Sequence, residues 1–202
     1  LGDDGLFFTK WAGETFADPD TTGTALAALA KYNTREYPKV QAFVNKAVEG
    51  LSKAQNSNGS YGNVNSDAMV IIGLTAIGID PAKDPRFVKG GCSLADALLL
   101  YVNGSKNGFT ASYISGTQGE NAQALATEQG FRALVALEKF ESLSGDPKSF
   151  NIYTQTAKTS QSGNTTVTTP NKPNTGYVSN SVGSVPSTGS GSVSGSTNGW
   201  IS

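Results

Sequence analysis

The sequence predicts an all-α domain of repeated helix pairs over residues 1–153, followed by a flexible, disordered linker over residues 154–202. Three observations predict this organisation. Before Tyr153 the apolar residues recur at three- and four-residue spacing, which is typical of amphipathic helices, and strand-like alternation is nearly absent. Glycines, aromatic residues and helix starts repeat about every fifty residues. Near Tyr153 the composition changes abruptly.

The first two helices are predicted from their starting residues. The side chains of Asp20 and Thr21 can cap a helix, and an apolar stripe follows them directly. Pro38 suits the first turn of a second helix, whose apolar positions continue to Leu51. The stripe of the first helix consists of Ala25, Leu26, Leu29 and Ala30.

Three further helices follow along the chain. Ser66 and Asp67 are predicted to begin the third, which Gly78 and Pro81 end. The fourth is predicted over residues 94–102 and the fifth over residues 122–143, each from its apolar periodicity. With the first two, these give about three pairs of an inner and an outer helix.

The inner helices share positions when they are aligned. Leu29, Leu74 and Leu137 coincide in the three repeats. A turn in which an aromatic residue follows a glycine precedes each inner helix. These turns are Gly5-Leu6-Phe7, Gly59-Ser60-Tyr61 and Gly108-Phe109. The sequence therefore predicts one supersecondary unit that is repeated.

The linker is predicted from composition. About two thirds of residues 154–202 are Ser, Thr, Gly or Asn, and the charged residues are Lys158 and Lys172. Such a segment buries too little apolar surface to offset the entropy lost on ordering.

Missing residue types exclude several kinds of chemistry. The sequence has no histidine, and Cys92 is its single cysteine, so neither a Ser-His-Asp triad nor a Cys/His zinc site can form. The formal net charge is −1, with acids and bases well mixed, which gives no reason to expect nucleic acid as a partner. No apolar run approaches the ~20 residues that span a bilayer, so membrane insertion is not expected.

Several segments of residues 5–153 resemble a known group. Asp18-Pro19-Asp20-Thr21-Thr22-Gly23 resembles the start of an inner helix in the toroid repeats of Firmicutes surface proteins. Gln55 with Gly59-Ser60-Tyr61-Gly62 resembles the glycine-aromatic repeat of squalene cyclases, which are terpene cyclases, and of prenyltransferase β subunits. The chain is similar to the toroid repeat domains of Firmicutes surface proteins. The resemblance implies a partial α/α toroid, further toroid repeats in the same protein, and an extracellular or cell-wall location.

The resemblance also implies a function. We expect a non-catalytic binding or structural module for an unknown small molecule, glycan or surface protein, with no cofactor and no metal. A cyclase-like enzyme is the alternative, because Asp18-Pro19-Asp20-Thr21 is similar to the Asp-x-Asp-Asp-Thr of class II terpene cyclases, with Thr21 in place of the third carboxylate. A cobalamin-type carrier is a further alternative that rests on fold analogy.

No catalytic residue is expected, but six residues are candidates for ligand binding. The aspartates and the glutamate stand at helix starts, where they can equally cap the helix or interact with its dipole. The aromatic residues stand in the glycine-aromatic turns, where they can equally pack one helix pair on the next. The candidates are Asp18, Asp20, Asp67, Glu128, Tyr61 and Phe109.

Overall fold

The structure is a computed structural model, which describes residues 1–112, 121–145 and 147–154. The α-helices in these ranges are α1 (Pro19–Leu29), α2 (Pro38–Ala54), α3 (Val64–Ala76), α4 (Leu94–Leu99) and α5 (Ala124–Ser142). The β-strands are β1 (Phe7–Trp11), β2 (Glu14–Asp18), β3 (Val88–Lys89) and β4 (Cys92–Ser93). Short 3-10 turns lie at Ala30–Tyr32 and Pro85–Phe87. No helix within the described ranges is long and apolar enough to cross a membrane.

The prediction of an all-α partial toroid is wrong. The fold is mixed, because β1 pairs with β2 and β3 pairs with β4 in two small antiparallel sheets. The first sheet is a hairpin in which Phe7 lies opposite Asp18 and Trp11 lies opposite Glu14. Its connection, Ala12 and Gly13, has φ values of 50° and 87°. Two positive φ values give the two-residue turn whose twist matches that of paired strands. The turn therefore allows the flanking residues to pair as strands.

The predicted linker begins at Thr154, and residues 155–202 lie outside the described ranges. The division of the chain into residues 1–153 and 154–202 stays a prediction.

Helices α1 and α3 begin at side-chain caps. Asp18 is the cap of α1: its Oδ1 accepts from the backbone N–H of Thr21 at 2.9 Å. Asn63 is the cap of α3, and its Oδ1 accepts from the backbone N–H of Ser66 at 2.9 Å. A cap of this kind satisfies an N–H group that has no partner inside the helix. Helix α3 consequently starts two residues before the predicted Ser66.

Helix α3 forms the centre of the core. It packs between α1 and α5, and all of its residues except Asn65 are buried. Gly23 of α1 lies against Gly73 of α3 so closely that a Cβ on either residue would collide with backbone of the other helix. Small residues permit this approach, so the two backbones are in direct contact.

The last described segment returns to α1 and α3. The backbone N–H of Phe150 donates to the carbonyl of Thr75 at 2.9 Å. The side-chain Nδ2 of Asn151 donates to the carbonyl of Ala27 at 2.7 Å. Arg132 of α5 donates to the Tyr153 hydroxyl at 3.1 Å. Residues 150–153 are therefore anchored to the three helices of the core.

Candidate functional site

A cleft of about 470 Å³ lies where the β1–β2 hairpin meets the first turns of α1 and α3. Its walls come from both strands of the hairpin, both helix starts, the end of α2 and the loop before α3. Its lining residues are Thr9, Ala17, Asp18, Pro19, Asp20, Ala54, Tyr61, Asn63 and Ser66. The lining contains two carboxylates and no basic residue.

Hydrogen bonds fix the polar side chains of the cleft. Both carboxylate oxygens of Asp18 are used by Thr21, because Oδ2 accepts from the Thr21 hydroxyl at 2.9 Å while Oδ1 accepts from its N–H. The hydroxyl of Ser66 donates to Oδ1 of Asp20 and joins α3 to α1. Asn63 Nδ2 donates to the same hydroxyl at 2.9 Å. The acceptors and donors of the cleft are thus held in place by their neighbours.

Asp67 is buried directly behind the cleft, where its side chain has no exposed surface. Its Oδ1 accepts from the backbone N–H of Tyr61, a wall residue, at 2.7 Å. Its Oδ2 is buried without a hydrogen-bond partner among the described residues. Burial raises the pKa of Asp67 to about 7. The N–H of Tyr61 and the hydroxyl of Ser60 oppose this shift, and the negative charge of Asp20 adds to it.

Tyr61 contributes its ring to the wall of the cleft. Its hydroxyl donates to the carbonyl of Leu51 at 2.9 Å, so this polar end is bonded to α2. Burial, and then the charge of Asp67, raise the pKa of the Tyr61 hydroxyl above its usual range. The hydroxyl therefore stays protonated and acts as a donor that holds the ring.

The other two candidates do not line the cleft. Glu128 is exposed on α5 and forms an ion pair with Arg132 one turn later. Phe109 is 1% exposed, and its ring meets Phe131 edge-on with the centroids 5.7 Å apart. The structure thus brings Asp18, Asp20 and Tyr61 together, with Asp67 behind them. Ligand binding by all six residues stays a prediction.

The sequence reasoning did not identify Thr9, Asn63 and Ser66 as wall residues. Thr9 belongs to the unpredicted hairpin, for which the aromatic residues flanking Ala12-Gly13 were the available signal. Asn63 is a good capping residue three positions before the predicted helix start at Ser66, and its type was a usable signal. The bond from Ser66 to Asp20 spans 46 residues, and nothing in the local sequence indicates it.

A larger concavity, of about 700 Å³, lies between α1, the end of α3 and residues 149–154. Its walls are mainly small side chains such as Ala27, Ala28 and Ala76, with Lys31 as the charged residue. It has neither fixed carboxylates nor a buried ionisable group in its walls. The cleft at the hairpin is therefore the better candidate for specific recognition.

In the described parts of the chain, no group of three or more Asp, Glu, Cys or His side chains is placed to hold a metal ion. Comparison with known proteins finds no matching family model, no significantly similar curated protein and no significantly similar solved structure.

Proposed function

We propose that this protein is a non-catalytic binding module whose ligand occupies the cleft between the β1–β2 hairpin and the starts of α1 and α3. The observation that supports this is the fixed set of polar groups around one concave space. The Asp20 carboxylate, the Asn63 amide and the Ser66 hydroxyl are oriented by mutual hydrogen bonds before any ligand arrives. Preorganisation of this kind lowers the entropic cost of binding.

The proposal includes display outside the cell or in the cell wall. The composition of residues 154–202 supports this part, because a Ser/Thr/Gly-rich segment can serve as a flexible spacer between a binding module and its anchor.

Acid catalysis, as in a cyclase, is the second candidate, and one observation favours it. Asp67 is a buried carboxyl near another carboxylate, and its pKa of about 7 lets it hold a proton at neutral pH. Against this, the Asp67 side chain has no exposed surface and does not line the cleft. A catalytic acid must reach its substrate, so binding without chemistry agrees better with the geometry.

A thermal-shift screen of chemically diverse small molecules and glycans against the full chain tests binding. A compound at 100 times its Kd stabilises the folded state by about 2.7 kcal/mol. We expect stabilisation by at least one compound to be lost in Asp20→Asn, which removes a carboxylate of the cleft wall. Glu138→Gln is the matched control, because it removes an exposed carboxylate of α5 that does not line the cleft and should leave the shift unchanged. Equal loss in both variants, or no stabilising compound at all, would contradict the proposal.

Incubation with squalene or geranylgeranyl diphosphate separates the two candidates. A binding module leaves both compounds unchanged. Cyclised product from the wild type that disappears in Asp67→Asn would establish the acid-catalysed function instead.

A further inference from the structure

The β1–β2 hairpin extends one wall of the cleft with exposed aromatic side chains. Cross-strand partners share a face, and Thr9 lies opposite Phe16 while Trp11 lies opposite Glu14. Side chains alternate between faces along a strand, so Trp11 and Phe16 lie on the same face as Thr9. Thr9 and Asp18, which both belong to this face, line the cleft together with Ala17 of the opposite face. The aromatic pair therefore continues this wall toward the tip of the hairpin.

The orientation of this face is fixed at the base of the hairpin. Phe7 belongs to the same face, and its ring contacts Phe43 of α2 with the centroids 5.9 Å apart. Toward the tip the aromatic side chains of this face are exposed to solvent: Phe16 is 50% and Trp11 is 76% exposed. Trp11 stands two residues beyond Thr9, or about 7 Å along the strand. The combined surface is longer than one small polar molecule.

We propose that this surface, which combines the cleft with the Trp11–Phe16 face, binds an oligosaccharide. Exposed aromatic rings stack on the apolar C–H faces of sugar rings, and the carboxylate, amide and hydroxyl groups of the cleft can bond the sugar hydroxyls. The two carboxylates Asp18 and Asp20, with no basic residue in the lining, disfavour a phosphorylated or otherwise anionic ligand. The inference rests on the proposed binding function and names its ligand class.

The chain contains two tryptophans, Trp11 and Trp200, which makes a direct measurement possible. In a full-length Trp200→Phe background the fluorescence reports on Trp11 alone. The probes are chitohexaose and cellohexaose, with the corresponding monosaccharides for comparison. We expect a saturable blue shift with at least one hexasaccharide, because sugar stacked on the indole excludes water, and weaker binding of the monosaccharide.

Two alanine variants of the hairpin form a matched pair. Phe8 is 51% exposed, close to the value for Phe16, but lies on the opposite face. We expect Phe16→Ala to weaken hexasaccharide binding about tenfold and Phe8→Ala to change it less than about twofold. Circular dichroism of both variants checks that the fold is kept.

Four outcomes would overturn the oligosaccharide assignment. The first is that neither hexasaccharide changes the fluorescence, and the second is that both hairpin variants lose binding equally. The third is that choline chloride competes for the site, and the fourth is that the fluorescence signal depends on protein concentration alone. Competition by choline would indicate a cationic ligand, and concentration dependence would indicate a second copy of the chain. If the hexasaccharides fail while another compound binds and is lost in Asp20→Asn, the cleft is still a binding site and only its ligand class is wrong.

Discussion

Helix α3 and the β1–β2 hairpin are the two extremes of the described structure. Helix α3 is enclosed by α1 and α5 and buried along nearly its whole length. The hairpin is exposed at every strand position except Phe7 and Asp18 at its base. Buried apolar surface stabilises a fold, whereas elements with little burial open at low free energy. We infer that α3 carries the stability of the domain and that the hairpin is free to serve recognition.

The largest effect on stability is expected at the contact between Gly73 of α3 and Gly23 of α1, where no space is left for a side chain. Gly73→Val would place a side chain where the backbone of Gly23 already lies, and rigid backbone cannot move aside. We expect the free energy of unfolding to fall by more than about 3 kcal/mol. Denaturation by urea measures this loss.

Gly104→Ala is the control for that experiment. A Cβ at Gly104 would meet no atom within 4 Å, so we expect a change below about 0.5 kcal/mol. A similar loss in the two variants would show that the α1–α3 contact does not determine stability.

Asp67 lies in α3, behind the cleft that the hairpin borders. It should make the free energy of unfolding depend on pH. Its pKa rises from a usual 3.8 to about 7 on folding, so the folded state binds its proton more tightly than the unfolded chain does. This contribution to stability is complete below about pH 4 and is lost as the pH rises to about 7. The slope for one proton is at most about 1.4 kcal/mol per pH unit.

Urea denaturation at a series of pH values measures this slope. Asp67→Asn should abolish it, since an amide carries no charge and can still accept from the N–H of Tyr61. A slope of the same size in the variant would assign the titration to another group.

The smallest effect is expected at the tip of the hairpin. Ala12 adopts a φ of 50°, which is costly for a residue with a Cβ, so Ala12→Gly should stabilise the hairpin by about 1 kcal/mol. Because the hairpin opens independently of the core in our interpretation, hydrogen exchange should slow in β1 and β2 while the global unfolding midpoint stays nearly constant. A clear rise of the global midpoint would show instead that the hairpin and core unfold together.

The contrast between the helices packed on the core and the exposed hairpin also explains which elements of the fold the sequence predicts. The second helix was predicted to begin at Pro38, and α2 begins there. The fifth was predicted over residues 122–143, and α5 spans Ala124–Ser142. Periodicity extends over many residues in both, and α2 and α5 each keep one face against the core. The predicted fourth helix was too long, because Tyr101 leaves α4 and becomes buried, with its hydroxyl 2.6 Å from that of Ser60.

The hairpin was missed because its strands are short and mostly solvent-exposed. The sequence places Phe7 in a glycine-aromatic turn before a helix, and residues 7–11 show no regular alternation of apolar and polar side chains. Ala12-Gly13 is also a weaker turn signal than Asn-Gly or Asp-Gly. A short exposed strand is specified by its turn and partner more than by its own periodicity.

The candidate site was predicted only where function follows from local sequence. Asp18 and Asp20 stand at a helix start that is recognisable from residue types, and both line the cleft. The burial of Asp67 depends on the loop that carries Tyr61, and the joining of α1 to α3 depends on Ser66. Glu128 matched the same helix-start pattern, yet the packing of the helices places it outside the cleft.

The bonds from Phe150 to Thr75 and from Asn151 to Ala27 determine how the domain would respond to mechanical force. A pull on the chain beyond Thr154 reaches the carbonyls of α1 and α3 through residues 150 and 151. Part of the load reaches α5 through the hydrogen bond between Tyr153 and Arg132, and the rest reaches α1 and α3, whose backbones are in direct contact, so α5 does not carry the load alone. A module under tension from its C-terminal side would resist unfolding through its most tightly packed elements.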